Sequence, residues 1–191
     1  MSYASLMVYV ETDATPEQRV RLAVSLADQF NAMLIGLAAL AIPPPMTTDG
    51  VIMDMMRTKL AHRGEWFRRV AGGDHRRLDW HAALDFPAEA LTRAARSADL
   101  VIIGQVKAPG TAYRELNPGE AIPKMGRPTL VVPEGVNSLS AEHIVIGWKD
   151  TREARKPCGT HFRSCKRQRA LPLSKHVSRA TRRPHWDGST T

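Results

Sequence analysis

Two short stretches of this 191-residue chain carry groups suited to binding a small ligand, the first of them an anion. In one, Gly104 is followed by Lys107 and Gly110, and then by Asn117-Pro118-Gly119-Glu120. Glycine lets a phosphate approach the backbone, a helix N-terminus presents unpaired amides, and lysine supplies charge. In the other, Glu11-Thr12-Asp13 ends an apolar run with two carboxylates and a hydroxyl. This is binding chemistry rather than reaction chemistry. The chain contains no nucleophile elbow, Walker loop, zinc spacing or pair of acids on one helical face. His62, His75 and His81 have no Ser or Cys partner at a recognisable spacing, and Met53, Met55 and Met56 read as helix packing rather than a soft-metal cluster. No enzyme and no metal site are expected.

The elements that position these groups alternate. Ser5 to Val10 reads as a first strand. Thr15-Pro16-Glu17-Gln18 has the pattern of a capping box and opens a helix with Val20, Ala23, Val24, Ala27 and Phe30 inward, leaving Arg19, Arg21 and Asp28 to water. Met33 to Leu40 is an almost wholly apolar strand, and Pro43-Pro44-Pro45 ends it. A helical stripe of Ile52, Met56, Leu60, Phe67 and Val70 runs from about Asp49 to Val70, until Gly72-Gly73-Asp74 stops it. Leu78 to Leu84 has the mixed composition of an edge strand. Pro87 opens a helix carrying Leu91, Ala94, Ala95 and Ala98. Leu100 to Ile103 and Thr129 to Val132 are short, β-rich apolar runs, the mark of strands buried on both faces. Between them Asn117 caps a helix with Pro118 at its first position and Glu120 reaching back. Strict alternation of strand and helix implies a three-layer α/β fold, a parallel sheet with right-handed crossovers and helices on both faces. Ligands of such sheets sit beyond the carboxyl ends of the strands. Gly104 to Asn117 and Glu11 to Asp13 border that crevice.

A strand ending in Ile-Ile-Gly, a glycine-containing loop, a helix and a closing Arg-Pro-Thr-Leu-Val-Val-Pro resembles the end of a universal stress protein domain. The resemblance covers about residues 3–134. It implies a five-stranded sheet of order 3-2-1-4-5 and a role in stress response through binding and oligomerisation. It also implies a homodimer contact through the last strand, here Thr129, Leu130, Val131 and Val132. ATP-binding members carry Gly-x-x-Gly, about nine residues, then Gly-Ser or Gly-Thr, and an Asp near the adenine at the end of the first strand. Here Gly104 matches, Lys107 stands in place of the second glycine, and Gly119 comes late and precedes Glu120. Glu11 is the positional match to the Asp, and Asp13 is an offset alternative. With Asn117 and Glu120 occupying the helix amides, the site reads as degenerate, with no cofactor expected. Weak ATP or AMP binding at Gly104, Lys107 and Gly119 is the alternative. Lys107 and Arg114 read as solvated loop charges, and Gly110 as a turn glycine.

The chain's net charge of +8 is unevenly spread. Ten of its 27 Lys and Arg, but only one of its 19 acids, fall in residues 155–191; this leaves seventeen against eighteen in residues 1–154, a net of −1. Non-specific, salt-dependent nucleic-acid binding is therefore a property expected of the tail alone. Cys158 and Cys165 also lie there, at a spacing that fits no known metal or disulfide framework. Met33 to Ile42 is too short to span a membrane, and Met1-Ser2-Tyr3 does not resemble a signal peptide. A cytoplasmic location is the expectation.

The expected domain is 1–135, followed by a polar linker at 136–142. Residues 143–155 resemble the first strand of a second domain of the same kind, which then fails to continue. From Lys156 onward no apolar periodicity survives, and disorder is expected of residues 156–191. Back-translation with permitted codons, shifted by two bases, yields an amphipathic helix, a turn and a β-strand. The second bases of its apolar codons come from the first bases of Cys158, Phe162, Cys165, Leu171 and Leu173. We read the tail as a frameshifted product, which sequencing of the gene tests.

Overall fold

The apolar runs and helical stripes assemble as the alternation requires. The computed structural model describes residues 3–14, 16–42, 50–72, 77–105 and 116–139, all within the compact unit Met1–Ala141. The expected second-domain strand and the basic tail lie outside the described residues. The five strands are β1 (Ser5–Tyr9), β2 (Met33–Ala39), β3 (Leu78–Ala83), β4 (Leu100–Gly104) and β5 (Thr129–Val132). All pair in parallel in the order β3-β2-β1-β4-β5. The helices are α1 (Glu17–Phe30), α2 (Gly50–Ala71), α3 (Pro87–Ala94, continued by a 3-10 turn at Ala95–Ser97) and α4 (Pro118–Met125).

Handedness decides which helix covers which face. The chain moves from β1 through β2 to β3 in one direction and then returns past β1 to β4 and β5. Right-handed crossovers therefore put α1 and α2 on one face and α3 and α4 on the other. The side chains agree. Leu6, Val8, Leu34 and Ile102 pack with Val20, Ala23 and Phe67 of α1 and α2. Met7, Tyr9, Ile35, Leu37, Val101 and Ile103 pack with Leu91, Ala121 and Met125 of α3 and α4. Adjacent residues of one strand thus serve opposite cores, as the pleat demands.

Two glycines let α2 approach the sheet closely. A Cβ at Gly64 of α2 would lie 2.7 Å from Trp80 Nε1, and one at Gly36 of β2 would lie 2.8 Å from the same indole. Trp80 is wedged between them, with the Phe67 ring centroid at 5.4 Å.

Some expectations needed adjustment. Pro16, not a hydroxyl residue, occupies the N-cap of α1 and makes no side-chain cap bond; Thr15 lies outside the described residues. On α2 the buried residues begin at Leu60, while Ile52 and Met56 are only half-buried and Met55 is 67% exposed. The methionines therefore do not form a packed stripe, because the first three turns of α2 bury nothing fully. Val136 of the expected linker packs against the α1–α2 core.

Candidate functional site at the ends of β1 and β4

β1 lies at the middle of the sheet, and the chain leaves β1 and β4 toward opposite sides, opening the crevice where open α/β sheets hold ligands. Its floor is Gly104, paired with Val132. Its wall is the β1–α1 loop, which starts just beyond Val10, whose amide still donates to Leu37 O at 2.8 Å.

Arg19 fills this crevice. From the first turn of α1 it turns back over the sheet, and its Nη1 donates to Glu11 Oε1 at 2.8 Å while Nη2 meets Glu11 Oε2 at 2.5 Å. A Cβ on Gly104 would lie 2.1 Å from Arg19 Nη1 and 3.1 Å from Glu11 Oε1. A side chain at position 104 would therefore displace the guanidinium from where it lies. The Arg19 side chain is 11% exposed and Glu11 32%. Arg19 Nε is buried with no hydrogen-bond partner. The expectation that Arg19 points to water is thus overturned: a long side chain at the start of α1 reaches the strand ends, and Glu11 gives it a bidentate partner.

The rest of the loop is strapped to α2. Lys59 Nζ donates to Asp13 Oδ1, and Arg63 Nη2 donates to the Thr12 carbonyl. The bond from Lys59 holds the Asp13 carboxyl below the usual carboxylate range. Burial lowers the Arg63 pKa, opposed by Asp13 and Glu11. Tyr9, beneath the crevice, is driven above the ordinary phenol value, first by burial and then by Glu11.

Across the crevice, the start of α4 is occupied by its own cap. Asn117 Oδ1 accepts from the Gly119 amide at 3.0 Å, and the Asn117 carbonyl accepts from the amides of Glu120 and Ala121 at 3.2 and 3.0 Å. Glu120 does not reach back to the backbone. Its carboxylate instead meets the Asn117 side-chain amide at 3.4 Å. All three amides are taken.

Of the residues singled out from sequence, Glu11, Thr12, Asp13 and Gly104 come together, with Gly119 at the start of α4. Lys107, Gly110, Arg114 and His75 lie outside the described residues. His62 is exposed, and His81 Nε2 lies 3.0 Å from Asp79 Oδ2. Among the described residues no group of three or more His, Cys, Asp or Glu could hold a metal ion, and no helix is long and apolar enough to cross a membrane. Thr129 to Val132 form β5, which among the described residues is an edge strand with β4 as its one neighbour, and on which Val131 is 38% exposed. Arg19, Lys59 and Arg63 were missed from sequence. The available signal was a carboxylate just past a strand, a long cation at the next helix start and a glycine ending the neighbouring strand.

No family model and no curated protein matches the chain by sequence. Solved structures do match. Universal stress protein UspA from Lactobacillus plantarum superposes with a TM-score of 0.55 at 17% identity, over 69% of this chain and 99% of that one. A universal stress protein in complex with cAMP gives 0.51 at 19% identity, over 69% and 98%. The hypothetical protein MJ0577 gives 0.56 at 14% identity, over 70% and 98%. Together with the strand order, these likenesses identify the chain's fold as that of the universal stress proteins.

Proposed function

We propose that this chain belongs with the universal stress proteins and acts in stress response by binding and self-association, without catalysis, its nucleotide crevice sealed from within. The observation that carries this is the Arg19–Glu11 pair lying over Gly104, where a bound nucleotide would need the backbone. The Asn117 cap supports the same reading, because a phosphate would have to displace its side chain from the Gly119 amide. β5, an edge strand among the described residues, is the surface through which two copies would pair.

The alternative is a regulatory domain that binds an adenine nucleotide. It is favoured by one observation: a protein of the same fold is known in complex with cAMP. Thermal shift with ATP–Mg, AMP and cAMP separates the two. A ligand at a hundredfold excess over its Kd adds about 2.7 kcal/mol. We expect no shift at millimolar nucleotide; a saturable shift would establish the alternative. Non-specific nucleic-acid binding by the basic tail is a separate property, which a chain ending at Gly135 would lack.

A further inference from the structure

A second concavity adjoins the sealed crevice. It has a volume of about 750 Å³, within the range of small-molecule sites, and runs along α2 beside Thr12. Val51, Met55, Lys59, His62, Arg63 and Trp66 line it. Their spacing of three, four and seven residues puts them on one helical face. The order along that face is apolar, then cationic, then aromatic. Val51 and Met55 are 70% and 67% exposed, two of the most exposed large apolar side chains among the described residues. One to two turns further on come Lys59, His62 and Arg63.

The charge of this middle section is incompletely neutralised. Lys59 has Asp13, and Asp54 at the rim has Arg57. Arg63 donates to a carbonyl, and among the described residues no carboxylate lies within ion-pair distance of it. Its guanidinium lies 5.0 Å from the Trp66 ring centroid, which fixes its position over the aromatic face. From Met55 to Arg63 the helix rises roughly 12 Å, a distance that an extended decanoate chain spans. The groove therefore presents exposed apolar surface at one end and, within one ligand length of it, a guanidinium bonded to a neutral carbonyl rather than to a carboxylate.

We propose that this groove binds a small amphipathic carboxylate, its head at Arg63 and Lys59 and its apolar body against Met55 and Val51. The charge selects an anion, and the volume suits a small molecule.

The test uses the full chain with its methionine methyl groups labelled for NMR, and sodium decanoate as the probe below its micelle concentration. Decyl maltoside and decyltrimethylammonium serve as uncharged and cationic comparisons. Decanoate should shift the Met55 methyl saturably, with affinity about tenfold above either comparison. Met55→Glu, at an exposed position that does not threaten folding, should weaken decanoate by about tenfold. Arg63→Gln should remove the preference for decanoate over decyl maltoside. Equal binding of all three amphiphiles, no saturable shift, or unchanged affinity in Met55→Glu would each overturn the proposal. Dissociation of a dimer by Met55→Glu in light scattering would assign the face to a second copy and overturn it as well.

Discussion

The pair over Gly104 makes an asymmetric prediction: removing the carboxylate should cost more than removing the guanidinium. Glu11→Gln leaves Arg19, 11% exposed and with Nε already unpartnered, without its counter-charge. Stranding one member of a fully buried pair costs ~3–5 kcal/mol. Glu11 is 32% exposed, so water enters on its side, and the glutamine keeps one acceptor. We therefore place the cost at about 2–3 kcal/mol. Arg19→Met leaves instead a carboxylate that water can solvate. It also removes a cation from the first turn of α1, where the helix dipole disfavours it by ~0.3–1 kcal/mol. The methionine still covers Gly104, so the net cost should be about 0.5–1.5 kcal/mol. Urea unfolding at pH 7, followed by circular dichroism, resolves the difference. With a slope of ~2 kcal/mol/M the midpoint should fall by ~1–1.5 M for Glu11→Gln and by under ~0.8 M for Arg19→Met. The double variant should fall no further than Glu11→Gln alone, since the stranded charge is then gone. Arg19→Met costing as much as Glu11→Gln, or strict additivity in the double variant, would refute the reasoning.

Other outcomes follow from the same structure. Gly64→Ala, which in an ordinary helix interior gains ~1 kcal/mol, should here lose ~1–3 kcal/mol because its Cβ meets Trp80; a raised melting temperature would contradict the close approach of α2. Asp99 accepts from the Ala4 and Ser5 amides at 2.8 and 3.0 Å, and these bonds lower its pKa. Its contribution is therefore present above the unfolded value of about 3.9 and lost as pH falls through the lowered folded value. Asp99→Asn should cost ~1 kcal/mol at pH 7 and flatten the acid limb, and superimposable urea midpoints from pH 7 to pH 2.5 would count against this. Val131→Lys on the β5 edge should convert a homodimer to monomer in light scattering, whereas unchanged mass would remove β5 from the interface. Sequencing the gene across the codon for Lys156 should reveal a shifted frame, and an intact frame with a stop after Thr191 and no better homologous reading downstream removes that idea.

What the sequence disclosed was whatever depends on periodicity. The apolar runs Met33 to Leu40 and Leu100 to Ile103 are strands within a residue or so, because burial on both faces leaves little choice of composition. Thr129 to Val132 is a strand too, but not one buried on both faces as its composition implied, since among the described residues it lies at the sheet edge with Val131 38% exposed. The faces taken by α1 and α2 against α3 and α4 follow from handedness once the strand order is known, and that order came from the family resemblance, not from periodicity. The Asn117 cap was visible because it acts through neighbours in sequence. Arg19 was not, since helical spacing sets it beside Arg21 on the polar face, and only the sheet's geometry shows that the first turn of α1 overhangs the strand ends. The same holds for α2. Its stripe is continuous from Ile52 to Val70, yet the sheet beneath it supports full burial only from Leu60 onward. Periodicity reports which face turns inward; it is silent on how far the partner surface extends.

The Arg19–Glu11 pair over Gly104 has a chemical logic of its own. A parallel sheet that reverses direction beside its central strand leaves a polar concavity whether or not a ligand is to be held there. A buried ion pair is a poor way to fill it for stability alone, since well-packed apolar residues of similar volume do as well or better. What the pair does is keep an anion permanently on Arg19. The Glu11 carboxylate is held in the adjoining loop, so its effective concentration at Arg19 is at least of millimolar order and higher for so rigid a tether. An external phosphate or carboxylate competes against that concentration and also against the Asn117 side chain for the Gly119 amide. Each competitor is local and fixed by the fold: Arg19 is held by the Glu11 carboxylate and the Gly119 amide by the Asn117 side chain, which is why the proposed function assigns no nucleotide to the crevice.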